Sequence, residues 1–295
     1  MRVGIAGLGR MGAAIGLRLI ECGHELVVWN RSPDKTKPLV AAGARLATSP
    51  VDVARQVETI ITILTNADAL AAVYDGPTSV LEADLNGKLV IEMSTVQPHD
   101  EIALAAKVRR KHAVFVECPV GGTTGPARQG KLLGLAGGDD AAIARARPLL
   151  DQMCRRVEHV GPVGAGASMK LAINLPLLVA YQAIGEAYVL CRHLGMNTTA
   201  LMELFADTSG APNILKARGP AIAAALAGDV PGAPAFDIDS IRKDLRTMLA
   251  EARGRGAELP LAERTLGIFD DAALEGWGDR DGSQLPAYWP RRQPL

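Results

Sequence analysis

Gly7, Gly9 and Gly12 stand at G-x-G-x-x-G spacing in GLGRMG, directly after the apolar run at 2–6 and before the helical pattern AAIGLRLIECG. Between a strand and a helix, that spacing suits the binding of a dinucleotide pyrophosphate. The first glycine permits a tight turn, the second lets backbone approach the phosphates, and the third lets helix and strand pack closely. Leu8, Arg10 and Met11 complete the turn, and the N-terminus of the helix offers free N–H groups and a partial positive charge to the phosphates.

The second apolar run, 24–29, ends in Asn30, Arg31 and Ser32, where an acidic side chain would hold the ribose 2′-hydroxyl of NAD. A carboxylate would repel a 2′-phosphate. A guanidinium can pair with it bidentately and a hydroxyl can donate to it. The expected cofactor is therefore NADP, with NAD left open as an alternative. Farther along the chain, Lys170 and Asn174 are four residues apart, so on a helix an ammonium and an amide would project from one face.

These groups need a scaffold. Apolar runs at 2–6, 24–29, 59–64, 89–93 and 113–116, with another at 132–138, alternate with helical segments through the first half of the chain. That rhythm predicts an α/β fold with a doubly wound parallel sheet, a Rossmann domain over 1–163. Beyond GPVGAG at 161–166 the periodicity is helical, over 166–194, 198–206, 211–228, 238–256 and 260–275, which predicts an all-α domain over 164–295. The tail from Gly276 reads as a loop and extension that packs on the protein, since Trp277 and Trp289 lie in it. Arg109, Arg110 and Lys111, and also Arg155 and Arg156, read as solvated helix ends.

Composition narrows the function class. The 295 residues carry 32 basic and 32 acidic side chains, without the basic excess of a nucleic-acid binder. The apolar stretch 171–184 contains Asn174, Pro176 and Gln182 and reads as a buried helix, too short to span a membrane. The four cysteines are scattered and the histidines show no ligand spacing, so no disulfide framework and no metal site are expected. No export signal is read at the N-terminus, and a cytoplasmic protein is expected.

Read in order, the motifs resemble the β-hydroxyacid dehydrogenase family over nearly the whole chain: the glycine turn ending in WNRS, ITILTN at 61–66, MSTVQP at 93–98, ECPVGGTTGPARQGKL at 117–132, GAGASMKLAIN at 164–174 and FDIDSIRKDL at 236–245. The resemblance implies hydride transfer between a nicotinamide cofactor and a small, anionic β-hydroxy acid or its semialdehyde. It makes Lys170 the general acid/base and Asn174 its orienting partner. It implies cofactor contacts from Leu64, Thr65, Thr95 and Lys243, substrate contacts from Ser94, Gly121, Gly122 and Thr123, and a homodimer or homotetramer.

Some positions depart from the family pattern. Gly121 replaces the serine of the substrate loop, so an acid group could be held only by backbone N–H groups and the hydroxyls of Thr123 and Thr124. The loop is similar to that of sulfolactaldehyde-reducing members, which carry an arginine where this chain has Gly122. Ile173 occupies the first of the family's paired asparagines. The alternatives are an imine or ketone reductase of the same fold, against which Lys170 argues, and a cofactor-binding regulatory protein without catalysis, against which Lys170 and Asn174 argue.

Overall fold

The computed structural model describes residues 1–229 and 232–292. The chain divides into two compact units, Met1–Leu171 and Ala172–Leu295. Through the first unit run β1 (Arg2–Ala6), α1 (Arg10–Glu21), β2 (Glu25–Trp29), α2 (Lys37–Ala41), β3 (Arg45–Leu46), α3 (Pro50–Gln56), β4 (Thr59–Thr62), α4 (Ala67–Tyr74), β5 (Leu89–Glu92) and α5 (Pro98–Arg110). They are followed by β6 (Val114–Glu117), β7 (Val120–Gly121), α6 (Thr124–Arg128), β8 (Leu132–Gly137), α7 (Asp140–Met153) and β9 (Cys154–Gly161). α8 (Ala165–Cys191) crosses the boundary.

The strands form one sheet in the order β3-β2-β1-β4-β5-β6-β8-β7, with β9 on β8. β3 through β6 in that order are parallel, β8 is antiparallel to β6 and β7, and β9 is parallel to β8. Side chains alternate between the two faces, as strand geometry requires. Val3, Ile5, Val28, Ile61 and Ile91 join the core that includes Ile15 and Leu19 of α1 and Leu149 and Leu150 of α7. Ala6, Val27, Ile60, Val90 and Phe115 join the core on the other face, with Val53 of α3, Val73 of α4 and Leu104 of α5. Both faces are covered, which is why the inner strands read as continuous apolar runs.

β9 was not expected from sequence. Its Arg155 and Arg156 are exposed strand residues, not helix ends: β9 pairs with β8, and of its residues only Cys154 and Val157 are buried, so its charged side chains reach solvent as on a sheet edge. Lys111 does cap a helix end, that of α5.

In the second unit α8 is followed by α9 (Thr198–Ala206), α10 (Ile214–Ala227), α11 (Ile238–Gly254), α12 (Pro260–Ala272) and α13 (Leu285–Tyr288). Ile184, Leu201, Met202, Leu215 and Ile222 form a core there. α8 is 27 residues long with Pro176 inside it, so the helix extends well past the apolar stretch read from sequence. By length and composition Ala165–Leu194 could cross a membrane, yet half of its apolar window is buried within the protein. The tail is not an open extension. Residues 282–290 are buried apart from a half-buried Trp289, and Trp277 packs edge-on against Tyr288 at 5.3 Å with the Arg280 guanidinium 4.0 Å above its ring.

Candidate active site

Five parallel strands of the first unit end on one line. Trp29, Ala6, Thr62, Glu92 and Glu117 are successive register partners across β2, β1, β4, β5 and β6, and Gly137 of β8 continues the row. The loops that leave this line lie at the carboxyl edge of the sheet, the place where doubly wound folds bind ligands.

The first of these loops is the glycine turn. Gly7 has φ +103°, and a Cβ there would collide with the carbonyl oxygen of Ile63. A Cβ at Gly12 would collide with the carbonyl oxygen of Gly7 itself. At Gly9 the requirement is reversed, since among the described residues nothing lies within 4 Å of an added Cβ. Gly9 is the N-cap of α1 and supplies no side chain to its first N–H groups. Tight packing under Gly7 and Gly12 with open space over Gly9 fits a bound pyrophosphate. Met11 is half-buried and Arg10 exposed at the start of α1.

Asn30 also holds the turn itself. Its Oδ1 accepts the Leu8 N–H at 2.8 Å and its Nδ2 donates to the Ser32 carbonyl at 3.0 Å, so the side chain braces the turn. Arg31 and Ser32 are exposed beside it.

The second and third loops are tied together. The Leu64 N–H donates to Ser94 Oγ at 2.7 Å, and Ser94 in turn donates its hydroxyl proton to Glu92, whose Oε2 also accepts the Ser94 N–H at 2.8 Å. Ser94 is buried with its hydroxyl directed inward, while Thr95 is half-buried and Thr65 exposed. The Glu101 carboxyl abuts Glu92, both wholly buried. Burial and the Glu92 charge hold Glu101 well above the usual carboxylate range, and burial raises Glu92 as well.

The loop expected to hold the substrate follows β6. Gly121 closes β7, and Gly122, at φ +125°, is a position where a side chain would be strained and would press on Leu132. An arginine there would require another loop conformation. Thr123 precedes α6 as its N-cap. Lys170, also in the first unit, is buried at 8% exposure on α8.

In the second unit Asn174, one turn beyond Lys170 on α8, is buried and donates its amide to Asp244 at 3.3 Å. Asp244 also pairs with Lys243 beside it on α11. The start of α11 is clipped by the tail: Asp281 accepts the Ala235 N–H at 2.8 Å and Ile238 donates to the Arg280 carbonyl at 2.9 Å.

Glu92, Glu101, Glu117 and Asp244 were not singled out from sequence. The available signal was an acid closing an otherwise apolar strand in LVIE and VFVE, and an acid next to a lysine in KDL.

Residues 2–161 match the NAD binding domain of 6-phosphogluconate dehydrogenase, and residues 164–289 match the NAD-binding domain of NADP-dependent 3-hydroxyisobutyrate dehydrogenase. Glyoxylate/succinic semialdehyde reductase 1 of Arabidopsis thaliana is 33% identical over 97% of this chain and 97% of its own. The 3-sulfolactaldehyde reductase of Escherichia coli (strain K12) is 32% identical over 96% of this chain and 94% of its own. The structure of Mycobacterium tuberculosis 3-hydroxyisobutyrate dehydrogenase with L-serine superposes with a TM-score of 0.84 at 26% identity, covering 99% of both chains. With the glycine turn, the carboxyl-edge loops and matches of this extent, the chain belongs to the β-hydroxyacid dehydrogenase family of nicotinamide-dependent oxidoreductases.

Proposed function

We propose that the protein reduces the aldehyde of a small anionic semialdehyde to the corresponding hydroxy acid, and catalyses the reverse oxidation, with NADP as its preferred cofactor. The observation that carries this reading is the buried Lys170, one helical turn before the buried Asn174. Desolvating an ammonium is costly, and a fold retains such a group where its charge or proton is used.

When bound, the reduced nicotinamide supplies a hydride to the carbonyl carbon. Lys170 donates its Nζ proton to the carbonyl oxygen and recovers it in the oxidation direction, and its charge stabilises the developing oxyanion. Asn174, anchored by Asp244, orients the reacting group. Backbone N–H groups of Gly121 and Gly122 with the hydroxyl of Thr123 hold the acid group. Arg31 and Ser32, exposed just past β2 with no carboxylate at position 30, favour a 2′-phosphate. The similarity to reductases of glyoxylate, succinic semialdehyde and sulfolactaldehyde supports the substrate class.

The test is NADPH and NADH oxidation with glyoxylate, succinic semialdehyde, sulfolactaldehyde and a cyclic imine, using the wild type, Lys170→Ala and Arg31→Asp. Lys170→Ala should lower kcat by about 10³, and Arg31→Asp should raise the KM for NADPH about tenfold with that for NADH nearly unchanged. Turnover of Lys170→Ala within about tenfold of wild type, or activity confined to the imine, would overturn the mechanism. Equal effects of Arg31→Asp on both cofactors would overturn the NADP preference.

A further inference from the structure

The start of α8 is held in an unusual way. A helix leaves its first N–H groups without intrahelical acceptors, and the usual remedy is a side chain immediately before it. Ser49 does this for α3, Asn66 for α4 and Asp237 for α11. For α8 the acceptor comes from 47 residues away in sequence: Glu117, the last residue of β6, takes the Gly164 and Gly166 N–H groups on its Oε1, each at 2.7 Å. A carboxylate at this end also meets the positive pole of the helix.

The surroundings are shaped around that carboxylate. Gly137, its register partner on β8, could not carry a Cβ without striking Glu117 Oε1, and a Cβ at Gly166 would strike the Leu135 carbonyl oxygen and come within 3.1 Å of Glu117 Oε1. Glu117 is wholly buried, and its Oε2 has no hydrogen-bond partner among the described residues. Burial pushes its carboxyl up to about 7, although the Gly166 and Gly164 N–H groups pull it down. Burying an acid in this way costs stability, and a helix start could be capped locally at no such cost.

Position in the chain supplies the reason. Glu117 ends the strand that leads into the loop at Gly121, Gly122 and Thr123, while Gly166 lies one turn before Lys170 on α8. All of these residues are in the first unit.

We propose that Glu117 is a positioning residue: by accepting the Gly164 and Gly166 N–H groups, it sets the axial position of α8, and so of Lys170, against the substrate loop. The role depends on the reach of Oε1, and it rests on the reading of Lys170 as the acid.

The test compares Glu117→Asp, which withdraws the acceptor by one methylene and keeps the charge, with Glu117→Gln, which keeps an oxygen at full reach and removes the charge. Steady-state kinetics would use NADPH with the best aldehyde of the panel, and NADPH affinity would be read from nicotinamide fluorescence. Glu117→Asp should lower kcat at least about tenfold with the NADPH dissociation constant within about threefold of wild type, a split expected when a misplaced group costs transition-state and not ground-state interactions. Glu117→Gln should keep kcat within about threefold.

Wild-type kcat in Glu117→Asp, a parallel loss of NADPH affinity, or a loss in Glu117→Gln as large as in Glu117→Asp would each overturn the proposal. If Glu117→Asp does not fold, the Gln variant still decides, because a kcat more than about tenfold below wild type there contradicts a role based on reach. Lys170→Ala run in parallel separates the failures. Retained turnover in that variant removes the acid itself, whereas lost turnover with a fully active Glu117→Asp removes only the positioning role.

Discussion

The glycine turn and the carboxylate row lie at the same edge of the same sheet and handle charge in opposite ways. At Gly7, Gly9 and Gly12 the protein removes side chains, leaving backbone N–H groups and a helix end to face an anionic ligand. At Glu92, Glu101 and Glu117 it buries three acids against backbone and one another. The turn is built for a charge that arrives. The acids are part of the fold with or without a ligand, so the cost of burying them appears in the free protein as raised proton affinities, and that cost depends on pH.

The largest effect should come from closing the turn. Gly12→Ala places a Cβ against the Gly7 carbonyl oxygen and near Ile63 Cγ2 at 2.8 Å, both in packed surroundings. Backbone must shift, at about 3 kcal/mol or more. Urea unfolding should show that loss, together with NADPH binding weakened at least about a hundredfold, since the turn itself is displaced. Unchanged stability would mean that the turn yields easily and that packing is not what demands glycine there.

The next prediction separates the row from the turn by pH. The Glu117 carboxyl is raised from 4.5 to about 7. A raised acid contributes its full stability below its unfolded value, and that contribution is lost as pH rises through the folded value. At about 1.4 kcal/mol per unit, the wild type should lose up to about 3 kcal/mol between pH 4.5 and pH 7 relative to Glu117→Gln, which has no proton to lose at this position. Glu92 and Glu101 are present in both proteins. Glu117 also adds to the shift of Glu101, so removing its charge acts in the same direction. Urea unfolding of both proteins at pH 5 and pH 8 reads the difference, which should favour Glu117→Gln at pH 8. A gap independent of pH would show that Glu117 keeps one protonation state across this range.

The two regions also differ in how far they can be read from sequence. The turn is local: its geometry is imposed by residues within a few positions of one another, so spacing alone carries it. The strands β1, β2, β4, β5 and β6 were legible for a related reason, because burial on both faces makes each an apolar run. The row is assembled by topology. Glu92 and Glu117 become neighbours because β5 and β6 are adjacent and in register, and nothing local in LVIE or VFVE states that register. Gly137 reads as a glycine at a strand end until β8 is seen to return antiparallel against Glu117. β9 was hidden by its charges, since CRRVEHVG has the polarity of an edge and not of a core. The bond from the Leu8 N–H to Asn30, which braces the turn, joins residues 22 positions apart and is likewise not stated by any local pattern.

Gly9→Ala should have the smallest effect on folding and tests the turn most directly, because it isolates the ligand's demand from the fold's. Gly9 has φ −64° and ψ −173°, a conformation open to alanine, and an added Cβ meets no atom within 4 Å among the described residues. The methyl group also replaces a preferred N-cap residue by a poor one, which limits the expected loss of stability to about 1 kcal/mol or less. The space it would occupy is the space that the pyrophosphate needs. NADPH affinity should therefore fall by about tenfold, or about 1.4 kcal/mol, in a protein whose urea midpoint hardly moves. Gly12→Ala, three residues away in the same motif, should lose binding and stability together. If Gly9→Ala bound NADPH as tightly as wild type, the open space over Gly9 would not be where the phosphates approach, and the three glycines would all be serving the fold.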